Sequence, residues 1–535
     1  MRSFSAIVYC IGLLFAAECL GRAEPLANEA LRGKYVKSLD QVLRLEPDQV
    51  DLGVAALIVA EEWSEVVHGR RYLARLDEMA YEIRARLEEK HLEPDYRAIG
   101  VINQYLFDEQ GFAAVSEPTD PNDLFLHSVM DQRRGYCLSL SVLYLCLAER
   151  LGMPVYGVVV PGHFFVRYDD GRQRYNIETT SRGAVAPDKH YVKKFKVPQV
   201  RGESIYMKNL NKHETLGCLF NNLGNTYNDV GQIDTALEVL EAAVQINPSL
   251  AECRMNLGNI YLEKGRLSDA IFEYRQALKI NPDDAKSHLN LGNAYSERGW
   301  LSDAIAEYTA ARKLDGSIID AYKNLASAYI KQDKLRSALG ELQQALVIEP
   351  DDAGLYSRLG DVYMRMGSYD KAISLHKKAL KMKPDLAEAY HGLGLCYNKL
   401  GLLDDEIEAY TKALAINGDM VGALVNLGNA YVAKKQYDAA IEQYERAVAI
   451  KPNDTMILYN FGTAYSNKGD YEGAVRLYEK AVALEPELGD AHNGLAYSYY
   501  NLKKYDLALK HAKKAKQLGV QVDPNLVKAI ERQLH

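Results

Sequence analysis

AKSHLNLGNAYSERGWLSDAIAEYTAARKL, residues 285–314, decides the fold of this chain. It holds two helical periods, Ala285–Tyr295 and Leu301–Leu314, separated by the polar turn Ser296–Gly299. Apolar residues at three- and four-residue spacing put one stripe inward on each period. Small residues such as Gly292 and Ala304 let the two helices cross closely. Tyr295 fills the gap between them and can set its hydroxyl at an edge. The pattern returns every 34 residues: tyrosine stands at Tyr227, Tyr261, Tyr295, Tyr329, Tyr363, Tyr397, Tyr431, Tyr465 and Tyr499. Alanine keeps the same frame from Ala243 to Ala515 without a miss. A second alanine set, from Ala236 to Ala508, is broken only by Glu406. Proline closes the unit at Pro248, Pro282, Pro350, Pro384, Pro452 and Pro486, with Gly316 and Gly418 in vacant slots. A fixed period of this length specifies a solenoid, because no single unit can bury its own stripe and neighbours must stack.

These residues resemble the tetratricopeptide repeat, in nine units over residues 217–522. The resemblance implies an α-solenoid whose first helices line an inner groove that takes a protein or peptide. Asparagine recurs on those helices in pairs three residues apart: Asn222 and Asn225, Asn256 and Asn259, Asn290 and Asn293, Asn426 and Asn429. Each pair shares a helix face. Asparagine is a poor helix former, so its recurrence in mid-helix needs a reason. It forms either a solvated or turn-bonding face, or an amide ladder that pairs with peptide backbone; the resemblance favours the ladder. The ladder is broken at Arg358, Gly392 and Gly494. Asp523 before Pro524 is a good helix start, so residues 523–535 are expected to form a helix that covers the last stripe.

At 535 residues the chain exceeds one domain, and 64 basic against 72 acidic residues give a net charge of −8. That balance argues against a nucleic-acid footprint, and no glycine-rich phosphate loop appears. Met1–Ala23 carries Arg2, an apolar run Ala6–Ala17 and Gly-Arg-Ala before Glu24, which reads as a secretory signal cleaved near Ala23. The apolar run is short for a membrane span; an uncleaved anchor is the alternative. The mature chain is then exported, periplasmic or extracellular, with no stable membrane span. Cys10 and Cys19 leave with the signal. Cys137, Cys146, Cys218, Cys253 and Cys396 remain, in a spacing that resembles neither a disulfide framework nor a zinc site, and no metal or cofactor is expected.

Residues 24–205 lack the repeat, and 206–216 read as a linker to it. Leu52–Val67, Tyr72–Leu87 and Ala98–Gly111 read as helices. In DQRRGYCLSLSVLYLCLAERL, residues 131–151, Gly135 marks a turn and a helix starts at or just after Cys137. A thiol at a helix N-terminus meets the positive end of the helix dipole, which favours thiolate. Val155–Val160 and His163–Tyr168 read as strands, and Asp170-Gly171 as a two-residue hairpin turn with return strand Arg172–Thr180. A hairpin centred there pairs residues whose numbers sum to 341, which makes His163 and Glu178 direct cross-strand neighbours on one face. A thiol, an imidazole and a carboxylate in that order supply nucleophile, base and orienting group.

Gly-Tyr-Cys137 opening a helix, Gly-His163 starting a strand and Asn-Ile-Glu178 on the next resemble the transglutaminase-like branch of papain-type folds. Tyr72-Leu-Ala-Arg-Leu-Asp77, Asn103-Gln-Tyr-Leu-Phe107, Pro121-Asn-Asp-Leu-Phe125 and Pro161-Gly-His-Phe164 extend the similarity to the SirB1-type domain over most of residues 50–190. Many members of that family lack a cysteine at the position of Cys137, whereas this chain has a complete set, with Glu178 where transglutaminases have aspartate. The resemblance implies an α+β domain that performs acyl transfer or amide or ester hydrolysis, with Cys137 attacking, His163 relaying the proton and Glu178 holding the imidazole. The N–H of Cys137 and the side chain of Gln132 are candidate oxyanion donors, and Arg133 and Arg134 read as solvated. The competing reading is a non-catalytic scaffold whose N-terminal domain keeps the fold without turnover. A thiol-labelling contrast between Cys137 and the repeat cysteines separates the two.

Overall fold

The computed structural model describes residues 38–63, 67–115, 120–197 and 205–534. The signal read over residues 1–23, and the residues that follow it up to 37, lie outside them. The chain divides into two compact units, Met1–Gly316 and Ser317–His535.

In the first unit, α1 (Leu39–Leu43), α2 (Leu52–Trp63), α3 (Gly69–Glu89) and α4 (Ala98–Asn103) lead into a π-helical turn, Gln104–Glu109, so the helix expected over Ala98–Gly111 changes its hydrogen bonding midway. A two-residue parallel pair follows, β1 (Ala113–Ala114) with β2 (Arg134–Gly135), flanking α5 (Leu126–Gln132). Helix α6 (Cys137–Leu151) is apolar nearly all round and is correspondingly buried on almost every face. It packs against α2, α3 and α5, and against a four-stranded antiparallel sheet in the order β3 (Val155–Val160), β4 (His163–Asp169), β5 (Arg174–Glu178), β6 (Ala184–Ala186). Gly152, with φ +74, ends α6 in the left-handed region that its missing Cβ allows. Helix α7 (Asp188–Lys194) follows the last strand.

The hairpin corrects the expected register. Tyr168 pairs with Tyr175 and Val166 with Ile177, so partner numbers sum to 343 and not 341. The physical reason lies in Asp170. Its carboxylate accepts the N–H groups of Arg172 and Gln173 at 2.8 and 2.6 Å, which holds a wider loop in place of the two-residue turn. The return strand is accordingly shorter, Arg174–Glu178. The error is even, and side chains alternate with period two, so the faces survive it: His163 and Glu178 remain on one side though they are not directly opposed.

Residues 206–216, expected as a linker, are part of the domain instead. The N–H groups of Met207 and Leu210 donate to Val159 and Gly157 of β3 at 3.1 and 2.9 Å. Asn211 caps α8 (Lys212–Asp229) in a reciprocal box with Glu214, so the first repeat helix begins five residues before 217.

From Lys212 to Gln517 run eighteen helices, α8 to α25, as nine pairs, three in the first unit and six in the second. The connecting turn takes positive φ in every pair. Glycine serves at Gly231, Gly265, Gly299, Gly367, Gly401 and Gly469, but Asp333, Lys435 and Lys503 adopt the same left-handed backbone with a side chain. Gly292 lies so close to Tyr308 that a Cβ would stand 2.6 Å from its ring. Helix α26 (Pro524–Leu534) lies where a cap was expected, with Ile530 buried among Leu495, Tyr499 and Ala508.

Candidate active site

Gly135 brings the chain past Ser139 and Val129 at distances that leave no room for a side chain, 2.8 and 3.1 Å from a built Cβ. Ser139 then accepts the N–H of Tyr136 at 2.9 Å and donates to the carbonyl of Asp123 at 3.0 Å, which fixes the first turn of α6. Cys137 is the first residue of that turn and is only 4% exposed. The N–H groups of Cys137 and Leu138 stand at the helix start, where no intrahelical acceptor exists.

His163 opens β4, and the Cys137 thiol lies near enough to its ring to act on the imidazole's ionisation. Its Nε2 lies 2.7 Å from Oε2 of Glu178, and both side chains are 13% exposed. The other oxygen of Glu178 accepts the hydroxyl of Thr180 at 2.6 Å and its N–H at 3.3 Å. Burial by itself pulls the imidazole down, but the hydrogen bonds with Cys137 and Glu178 and the carboxylate charge outweigh it. The result is pushed up to about 9. Burial likewise raises the Glu178 carboxyl, and the bonds from His163 and Thr180 bring it below its usual value. The arrangement sets thiol, imidazole and carboxylate in line, with the ring between the other two.

The other four cysteines described are also buried and unpaired. Burial pushes the thiols of Cys146, Cys218 and Cys253 up, and that of Cys396 up to about 11. They sit within helices as buried apolar fillers. Gln132 is engaged elsewhere: its amide donates to Ser128 at 2.9 Å and its oxygen accepts from Arg134 at 2.8 Å. Arg133 and Arg134 reach the carbonyl of Gln110 and the carboxylate of Asp123. Both side chains are exposed, as the solvated reading implied, and these contacts lie at the surface. Among the described residues no group of three or more His, Cys, Asp or Glu is placed to hold a metal ion, and no helix there is long and apolar enough to cross a membrane.

The asparagine pairs are largely consumed within the array. Asn259, Asn293 and Asn429 accept the hydroxyls of Tyr274, Tyr308 and Tyr444, each fifteen residues on, at 2.8, 2.9 and 2.6 Å. Asn256 donates to Asn221 at 2.9 Å, Asn290 to Asn259 at 2.9 Å, and Asn426 lies 3.4 Å from His391. Asn222 and Asn225 are half-buried on α8. In three of the four pairs the recurrence in mid-helix therefore has a physical cause independent of any ligand: the second asparagine satisfies a buried tyrosine hydroxyl.

Sequence reasoning missed Thr180, Tyr191 and Phe195, all of which lie against the His163–Glu178 pair. The one available signal was the four-residue spacing of Tyr191 and Phe195, which sets two aromatic rings on one helix face.

Residues 70–217 match the Transglutaminase-like superfamily. Tetratricopeptide models match residues 224–299, 326–417 and 428–519 in overlapping segments. The chain thus carries a transglutaminase-like domain followed by multiple tetratricopeptide repeats. Within that class its N-terminal domain is similar to the SirB1-like, UPF0162 proteins. The UPF0162 protein PA3419 of Pseudomonas aeruginosa is 28% identical over 196 residues, covering 36% of this chain and 71% of that protein. The UPF0162 protein of Xylella fastidiosa (strain Temecula1) is 32% identical over 130 residues, 24% of this chain and 46% of the relative, so the chain spans under half of that protein's length. Among solved structures, the crystal structure of MamA is 30% identical and covers 30% of this chain and 94% of that one, with a TM-score of 0.29.

Proposed function

We infer that a transglutaminase-like domain joined to tetratricopeptide repeats forms a protein-interaction scaffold. We propose that this scaffold also carries a cysteine acyltransferase or hydrolase acting on amide or ester bonds, to which the repeat groove recruits a protein or peptide. In the first step the sulfur of Cys137 attacks the acyl carbon and forms a C–S bond. The leaving amine or alcohol departs with the proton held by His163. In the second step an amine or water attacks the thioester, His163 takes its proton, and the C–S bond breaks to restore the thiol. Glu178 holds the imidazole in orientation and supports its charge. The N–H groups at the start of α6 are the donors nearest the sulfur for the developing oxyanion. The single observation that carries this reading is the unbroken chain of contacts from Cys137 through His163 to Glu178. The Asn222, Asn225, Asn256, Asn259, Asn290, Asn293, Asn426 and Asn429 faces are the proposed peptide contacts, through whichever amide atoms the internal bonds leave over. Export, to the periplasm or beyond, belongs to the same proposal and rests on the pattern of Met1–Ala23.

The test is site-resolved alkylation of the full chain by iodoacetamide below pH 7, read by peptide mass spectrometry. Cys137 is expected to react at least tenfold faster than Cys396, and His163→Gln to remove the difference. Equal rates would leave the non-catalytic scaffold, which the near-complete burial of Cys137 favours, as the better reading.

A further inference from the structure

The ring of Phe195 lies flat on the imidazole of His163, with centroids 4.7 Å apart and planes within 4°. Two neutral aromatic rings favour offset or edge-on contact over a full face-to-face sandwich. A cation over a ring face is attracted by the quadrupole. At this separation the parallel rings are offset, which suits a neutral pair, and protonation of the imidazole adds the attraction of a cation for a ring face.

Phe195 is carried there by a helix anchored to the same sheet at each of its turns. At the start of α7, Asp188 accepts from Arg167 at 2.9 Å and from Asn176 at 2.7 Å. Arg167 lies on β4 four residues after His163, and Asn176 on β5 two residues before Glu178, so both share the face of the site. In the middle, Tyr191 stacks on Phe165 with centroids 3.9 Å apart. At the end, the N–H of Phe195 donates to the carbonyl of Tyr191 at 2.9 Å, and Lys196 turns into the left-handed region at φ 48, which stops the helix. Phe195 is thus held at a fixed height over β4, half-buried, with Lys194 above the same ring at 5.0 Å.

We infer that Phe195 is a positioning residue for the site: its ring fixes the imidazole plane between Cys137 and Glu178, shields one face from water and favours the charged form. The inference rests on the catalytic reading above. The charged or titratable groups acting on the imidazole are Cys137 from α6 and Glu178 from β5; from α7, Tyr191 lies against Glu178 and Lys194 over the Phe195 ring.

The experiment follows the His163 ring in the full chain by nitrogen-15 NMR with histidine labelling, its resonance assigned by loss in His163→Gln. In Phe195→Leu, which keeps the bulk and removes the ring face, the His163 midpoint is expected to fall by roughly 0.5 to 1.5 pH units. The alkylation rate of Cys137 near pH 6 is expected to fall by roughly three- to thirty-fold in step with it. Phe195→Tyr is expected to restore both. A pentafluorophenyl ring at position 195 keeps the shape and reverses the sign of the face, so it should lower the midpoint even if the leucine variant misfolds. An unchanged midpoint in both altered proteins would reduce Phe195 to space filling and overturn the inference. A shifted midpoint with an unreactive Cys137 in the parent would instead remove the catalytic reading and leave the positioning of His163 intact.

Discussion

At the scale of single residues, the ionisation of His163 is the most direct handle on the site. Its value is raised in the fold to about 9 from 6.5, while that of Glu178 is lowered from 4.5. A raised histidine contributes stability that is fully present below its unfolded value and is lost as pH rises through about 9. A depressed carboxylate contributes stability present above its ordinary value and lost as pH falls through its lowered one. Both contributions overlap between about pH 4.5 and 6.5. Glu178→Gln is therefore expected to cost most near pH 6, on the order of 2–3 kcal/mol, and far less above about pH 10. Urea unfolding at the two pH values checks this; an equal loss at both would mean that the pair holds no charge. The three residues of the relay were legible because each announces itself locally: a cysteine after Gly-Tyr at a helix start, a histidine after Pro-Gly, a carboxylate on the returning strand. Thr180 and Phe195 announce nothing, since only the packing of α7 on the sheet brings a phenylalanine seventeen residues past Glu178 over His163.

At the scale of elements, the repeat keeps a second rule that its tyrosine frame conceals. The second helix sets a bulky ring against a glycine of the first: Tyr274 on Gly258, Tyr308 on Gly292, Tyr410 on Gly394, Tyr444 on Gly428, Tyr478 on Gly462. Where the first helix has Ala326 or Ala496, the second offers the slimmer Leu342 or Ala512. The close approach of backbone to ring leaves no space for a methyl group. Gly292→Ala is expected to destabilise the chain by about 1–3 kcal/mol through overpacking. Tyr308→Leu is expected to recover part of that loss in the double variant, beyond the sum of the single effects. Denaturant midpoints of the four proteins check the coupling; strict additivity would show that the two positions do not compete for the same space. The same pairing explains the asparagines, because a ring buried this deeply needs an acceptor for its hydroxyl, and Asn259, Asn293 and Asn429 supply it.

At the scale of the first unit, the transglutaminase-like domain and the first helix pair share one interior. Lys212 of α8 reaches Glu149 of α6 and the carbonyl of Val50. Trp63 meets Phe220 edge-on at 5.3 Å, and the hydroxyl of Tyr227 donates to the carbonyl of Trp63 at 3.1 Å. Tyr206, from the stretch read as a linker, hydrogen-bonds Glu252 of the second repeat. A fragment ending at residue 205 loses these partners and bares Trp63 and the apolar side of α2. It is expected to unfold at least 5 °C below a fragment ending at Gly316, or to aggregate, since each large side chain withdrawn from water contributes about 1.5–3 kcal/mol. Thermal unfolding and limited proteolysis of the two fragments check this; matched midpoints would mean that the two parts fold independently. The period starts at 217 in the sequence, the chain before it back to Tyr206 packs with the first domain, and the boundary of compactness falls at Gly316, inside the array. Periodicity marks where a pattern begins, not which surfaces are buried together.

The sequence by itself determined the solenoid, its nine units, the final helix and the candidate thiol, imidazole and carboxylate. These depend on local periods, on turn residues and on the strict alternation of a strand, and such signals survive without knowledge of what packs on what. The tertiary structure alone decided the hairpin register, the fate of residues 206–216, the internal use of the asparagines and the place of Phe195 over His163. Each of these turns on a competition between partners distant in the chain. Asp170 captures two backbone amides before the strands can close a tight turn. The amides of Met207 and Leu210 find β3, and a buried tyrosine hydroxyl claims an amide oxygen that would otherwise face solvent. A buried polar group must be satisfied by whatever the fold brings within reach, and which group arrives is a property of the folded chain and not of any segment of it.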